Sequence, residues 1–209
     1  MSINSWFMSR IYDTSMRKME AASLAGWRRE LLSGVSGDVI EIGSGTGVNL
    51  QYYSDRVNSI TLTEPDRHMC DILRRRLHDL NDDRFSLVQA PADKLRFEDG
   101  SFDAAVVTLV LCSVDDQQRV LEEIKRVLRP GGRIHFIEHV LAKHAPELIK
   151  WQKLLQPVWV CACGNCHLTR ATGDSIAEAG FRFERLDNRM SGGCPPVVAP
   201  CISGVAVAP

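Results

Sequence analysis

The sequence predicts an α/β fold: a doubly wound, mostly parallel sheet with helices on both faces. Three observations carry that expectation. Short apolar runs of strand length alternate with longer stretches whose apolar residues recur at helical spacing, the pattern of a parallel sheet with crossover helices. One of the helical stretches ends in "RPGG", a helix stop followed by a turn. A cluster of glycines directly follows the first strand, where sheets of this kind bind ligands.

Taken in order, strands are expected at "DVIEIG" (38–43), "SITLTE" (59–64), "FSLVQA" (85–90), "FDAAVVTLVL" (102–111) and "GRIHFIEHV" (132–140). Helices are expected at "HMCDILRRRLHDL" and "DQQRVLEEIKRVL", whose apolar residues fall on one face. Beyond Val140 the pattern predicts a helix carrying Trp151 and Trp159, a further helix at "TGDSIAEAGF", and closing strands at "FRFERLD" and "ISGVAVA" separated by a loop, "SGGCPPVVAP". That makes seven strands in a single domain. It divides into an N-terminal helical cap (1–37), a core that binds the cofactor (38–139) and a substrate-side part (140–209).

A chain of 209 residues is long enough to bury roughly 70% of its unfolded surface, so no disulfide or metal staple is needed. A net charge of −1 supplies no basic field for nucleic acid or an anionic membrane. The first 38 residues mix apolar and charged side chains, with neither the apolar core of a signal peptide nor the roughly 20 apolar residues of a membrane span, so neither is expected. A cytoplasmic protein is expected, with its seven cysteines reduced.

The glycine cluster is "EIGSGTG", Glu41 to Gly47. A dinucleotide fingerprint would need a third glycine at position 48, which is Val48. Glycines stand instead at 43, 45 and 47, with an acid two positions before the first. Glu64 closes the second strand 19 positions after Gly45, where a carboxylate can accept hydrogen bonds from both hydroxyls of a ribose.

The E-x-G-x-G-x-G form resembles motif I of the class I S-adenosylmethionine-dependent methyltransferases, and "APADKLRFEDGSFD" and "VLRPGGRIHFIE" resemble two further segments of that superfamily. The resemblance implies a Rossmann-like methyltransferase sheet with S-adenosylmethionine as cofactor and S-adenosylhomocysteine as product. It further implies Glu41 near the cofactor's ammonium, Glu64 on the ribose hydroxyls, and Gly43, Ser44, Gly45, Gly47, Asn49, Pro65 and Met69 among the residues that bind the cofactor. Ala92 would meet the adenine edge, with Asp93 a substitute for the acid that many members carry where this chain has Pro91. Thr108 and Leu109 would complete the contacts, and Tyr12 is a candidate for the cofactor's carboxylate.

The C-terminal third narrows the likeness. "TLVLCSVDD", "FIEHV", "WQKLLQPVW" and "GNCHLTR" are similar to the methyltransferase-like seven group, the alkyl thiol methyltransferases, and their bacterial relatives. This implies methyl transfer to a small-molecule thiol. A monomer or weak dimer is expected, without the N-terminal membrane anchor of animal members. His139 is the candidate catalytic base, and Cys112, Trp151, Cys166, His167 and Arg170 are candidates for the substrate wall. Arg170 would serve either a substrate carboxylate or backbone carbonyls. The alternatives are methylation of carbon, oxygen or nitrogen on a quinone, lipid or other metabolite, arsenite methylation, and a non-catalytic module that binds the cofactor. Nucleic-acid methylation is disfavoured because no base-holding motif follows strand four. In "VCACGNCHLTR" only Cys163 and Cys166 have zinc-ligand spacing, so no metal is expected. Cys161 and Cys163 lie outside the resemblance and are read as incidental.

Overall fold

The computed structural model describes residues 16–209. A short π-helical turn, Glu20–Leu24, runs into helix α1, Ala25–Leu32. Strands β1 (Gly37–Ile42), β2 (Val57–Thr63), β3 (Phe85–Val88), β4 (Phe102–Thr108), β5 (Leu128–His139), β6 (Arg182–Met190) and β7 (Pro200–Val207) form one sheet in the order β3-β2-β1-β4-β5-β7-β6. Helices α2 (Arg67–Leu80), α3 (Gln117–Val127), α4 (Pro146–Ala162) and α5 (Thr172–Glu178) lie between strands in the chain. The first five strands pair parallel; β7 enters antiparallel between β5 and β6. The sheet is therefore the seven-stranded, mostly parallel one the sequence predicts.

Strand alternation divides the core in two. Ile40, Ile42, Ala105, Val107, Ile134 and Phe136 pack against Val120, Leu121, Ile124 and Val127 of α3 and Ile176 of α5. Their neighbours Val39, Ala104 and Val106 join Ile60, Leu62, Leu73 of α2 and Leu32 of α1 in a second cluster. Burial on both faces is what the near-continuous apolar strands require.

The chain leaves β1 for β2 on one side and β4 for β5 on the other, so the topological switch lies between β1 and β4, and a crevice opens at their carboxyl ends. Two boundaries differ from expectation. Strand β4 ends at Thr108 rather than running to residue 111, because Leu109 takes a left-handed conformation (φ 60°) that no extended strand accommodates. "RPGG" is a kink inside β5 instead of a free turn: Leu128 already pairs with Phe102, and the register shifts before Arg133 pairs with Ala104. Among the described residues no helix is long and apolar enough to cross a membrane.

Candidate active site

The crevice holds a cavity of about 870 Å³. Gly43 and Gly45 form one side, Glu64, Pro65 and Met69 the next, and Ala92 and Asp93 follow from the segment after β3. Thr108 and Leu109 lie at the end of β4. These nine predicted cofactor residues share one space, although they come from four separate segments of the chain.

Glu64 is buried yet forms part of the cavity wall. Its Oε2 accepts from the Gly45 amide at 2.9 Å and its Oε1 from the Asp66 amide at 2.9 Å. Burial pushes its carboxyl above the usual range, and those two amides pull it back in part. The glycine loop fits closely around it. A side chain at Gly43 (φ 62°) would place its Cβ 2.6 Å from Val110, and one at Gly47 (φ 89°) would stand 2.5 Å from Leu73. Glycine is required at both positions for conformation and for space.

Glu41, Ser44, Gly47 and Asn49, by contrast, do not line the cavity. The Glu41 carboxylate is buried and accepts from the Tyr53 hydroxyl at 2.5 Å and from Asn49 Nδ2 at 3.1 Å. Asn49 also donates to Thr108 Oγ1, and Arg28 Nη1 donates to Asn49 Oδ1 and Thr108 Oγ1, both at 2.8 Å. The other end of this network is an ion pair between Arg28 and Glu20 at 2.8 Å. The network ties α1, the glycine loop and the end of β4 together under the site. Arg28 and Tyr53 escaped the sequence reading. The signal for Arg28 was its place among Leu24, Leu31 and Leu32, where a buried helix face would have an apolar residue.

Burial pushes the carboxyls of both Glu41 and Glu138 up to about 7 from 4.5, against hydrogen bonds that lower them. A carboxyl whose folded pKa is raised binds its proton more tightly folded than unfolded. Its contribution to stability is therefore full below about pH 4.5 and is lost as pH rises through about 7. In thermal melts between about pH 5 and about pH 7.5, Glu41→Gln is expected to flatten the fall in melting temperature. An unchanged slope would show that Glu41 is not responsible.

The segment after β4, residues 109–115, is held from two sides. From β5, Glu138 is fully buried and accepts three backbone amides: Val110 and Leu111 on Oε1 at 2.9 and 3.0 Å, and Cys112 on Oε2 at 3.0 Å. From "GNCHLTR" come donors to the carbonyls. Arg170 Nη1 donates to Leu111 O at 2.6 Å, the His167 amide to Cys112 O at 2.8 Å, and Asn165 Nδ2 to Ser113 O at 2.8 Å. The role of "GNCHLTR" visible in the structure is to fasten this loop.

The predicted substrate residues are thereby relocated. His139 is buried, its Nε2 3.4 Å from Val197 O and its Nδ1 4.0 Å from Cys166 Sγ, and it stands behind the wall. Cys112 is buried beside it, and its thiol is pushed well up chiefly by the Cys166 thiol and by burial. The Cys166 thiol is pulled down, first by Cys112 and then by His139. His167 Nδ1 lies 2.9 Å from Gln156 Nε2, and Arg170 serves backbone carbonyls, so neither lines the cavity. Trp151 is 56% exposed on the outer side of α4. The residues that do form this wall are Val160, Cys161, Ala162, Cys163, Gly164 and Asn165, so the two cysteines read as incidental face the cavity. Asp115, Asp116 and Arg119 line the cavity too, and Asp115 Oδ1 accepts from Asn165 Nδ2 at 2.9 Å. Tyr12 lies outside the described residues.

Residues 40–136 match the family described as "Methyltransferase domain". Human thiol S-methyltransferase TMT1B is 36% identical over 97% of this chain and 84% of its own length. This chain belongs to the thiol S-methyltransferase family of S-adenosylmethionine-dependent methyltransferases. Human thiol S-methyltransferase TMT1A is 35% identical over 88% of this methyltransferase and 79% of its own length. Among solved structures, an S-adenosylmethionine-dependent methyltransferase from Thermotoga maritima, described as a possible histamine N-methyltransferase, superposes with a TM-score of 0.71 at 20% identity, covering 100% of both chains. At that identity the likeness concerns the fold alone. The present methyltransferase uses S-adenosylmethionine as its methyl donor.

Proposed function

We propose that this methyltransferase S-methylates a small-molecule thiol in the cavity at the β1–β4 switch point. The observation that carries the reading is the likeness to thiol S-methyltransferases along nearly the whole chain, including the C-terminal part that builds the acceptor wall.

The residues present fit the cofactor. A carboxylate offers about four lone-pair sites, and Glu64 uses two of them on Gly45 and Asp66, which leaves acceptors for a ribose diol. Ala92 and Asp93 would meet the adenine, and Gly43, Gly45 and Thr108 the methionine end. Bound there, S-adenosylmethionine supplies an electrophilic methyl group on its sulfonium. The chain's own task is to align and desolvate the acceptor, and Leu109, Val110, Val114 and Val160 give the cavity an apolar side for doing so.

The position of His139 supports a thiol acceptor. Among the described residues no histidine lines the cavity, so an imidazole base is not at hand. A thiol of pKa about 8.5 needs little help, being a few per cent thiolate at neutral pH and strongly nucleophilic. We expect the purified protein to release S-adenosylhomocysteine with at least some aliphatic or aryl thiols in a panel that also holds quinols, amines and arsenite. Turnover confined to a quinol, an amine or arsenite would overturn the thiol assignment. His139→Asn is expected to alter thiol turnover by less than tenfold, because the ring is placed to support the wall.

A further inference from the structure

Helix α4 is inverted. A surface helix ordinarily turns its apolar stripe inward and its polar residues to water. Here two amides one turn apart face inward, beside the half-buried Leu148, Ile149 and Trp159. Gln152 is fully buried, accepting from the Ala142 amide and donating to Val140 O and Val197 O. Gln156 accepts from the Leu168 amide and meets His167. The outward stripe is Trp151, Leu154, Leu155 and Val158, exposed by 56, 67, 36 and 70%. Their spacing of three, one and three residues puts them on one face over two turns. The stripe runs on to Cys161 and Ala162, exposed residues that also line the cavity.

We propose that this face docks on an anionic lipid surface and sets the cavity mouth at the bilayer boundary, where lipophilic acceptors concentrate. Three observations select that occupant. A few side chains on two turns of one helix offer far less than the roughly 800 Å² that each partner of a stable dimer buries. Lys153, and Lys150 with its exposed partner Glu147 at 2.8 Å, border the stripe, so tryptophan and leucine sit next to lysine as in helices that lie in the membrane interface. The apolar surface leads directly into the cavity wall, which a partner protein seated there would obstruct. The docking rests on the exposed face and is read without turnover, so it fails separately from the thiol assignment.

The test is flotation of the full-length protein with vesicles of equal parts phosphatidylcholine and phosphatidylglycerol, beside vesicles of phosphatidylcholine alone. The protein is expected to float with the mixed vesicles. Leu154→Ser/Leu155→Ser/Val158→Ser should weaken that partition at least tenfold while S-adenosylhomocysteine binding and circular dichroism stay unchanged. Lys150→Glu/Lys153→Glu should lower binding to the mixed vesicles more than to phosphatidylcholine alone. A wild-type protein that stays at the bottom of the gradient, or a serine variant that floats as well as wild type, overturns the proposal. So does a dimer in sedimentation equilibrium that the serine variant abolishes without any flotation, which would assign the face to a second copy.

Discussion

Replacing Glu64 with alanine is expected to weaken S-adenosylmethionine binding by about tenfold to a thousandfold. The carboxylate is a charged acceptor in the cavity wall between the glycine loop and Pro65, and among the described residues its donors are the Gly45 and Asp66 amides. A hydrogen bond to a charged group contributes about 1.5–3 kcal/mol, and each 1.4 kcal/mol is a factor of ten in affinity. Titration calorimetry with S-adenosylhomocysteine measures the loss. Part of it would come from the freed Gly45 and Asp66 amides, so the melting temperature should be read alongside. An affinity equal to wild type would remove Glu64 from the cofactor site.

Glu138→Ala should have the largest effect on stability. Three buried amides would lose their acceptor at once, each at about 1–3 kcal/mol, against a total stability of about 5–15 kcal/mol. For a chain of this size that amounts to a fall of about 10 °C or more in melting temperature. Glu138→Gln is expected to fall between the two. Its carbonyl can still accept from Val110 and Leu111, but its amino group would face the Cys112 amide, donor against donor. Thermal denaturation checks the series, and equal melting temperatures for wild type and Glu138→Ala would exclude the clamp. Because Leu109 and Val110 line the cavity, cofactor affinity should decline in the same order.

The strands were legible because β1, β4 and β5 are buried on both faces, leaving uninterrupted runs such as Ala104–Val107 that read as strands without tertiary information. The cofactor side was legible for a related reason. Gly43, Gly45 and Glu64 sit at fixed offsets from strand ends, so their meeting in one cavity could be expected by counting, and Ala92 came with the resemblance of its segment. The acceptor side could not be counted. Asn165, His167 and Arg170 reach backbone carbonyls some 50 to 60 positions away, and a bond between a side chain and a distant carbonyl leaves no periodicity in either segment. The end of β4 was set by the backbone of Leu109, which nothing in its side chain announces. In α4 the stripe at 151, 154, 155 and 158 has the spacing of a buried face. Gln152 and Gln156 reverse it by satisfying backbone groups that apolar residues could not.

The clamp around residues 109–115 separates two duties within one short stretch. In "VCACGNCHLTR" Asn165 and Arg170 hold the 109–115 loop through their side chains and His167 through its amide, whereas Val160 to Gly164 face the cavity, as Asn165 also does. Apart from Asn165, which belongs to both, the frame and its liner are different residues. A lineage could retailor the liner to a bulkier or smaller acceptor, one position at a time, while the scaffold that seats the methyl donor keeps its shape.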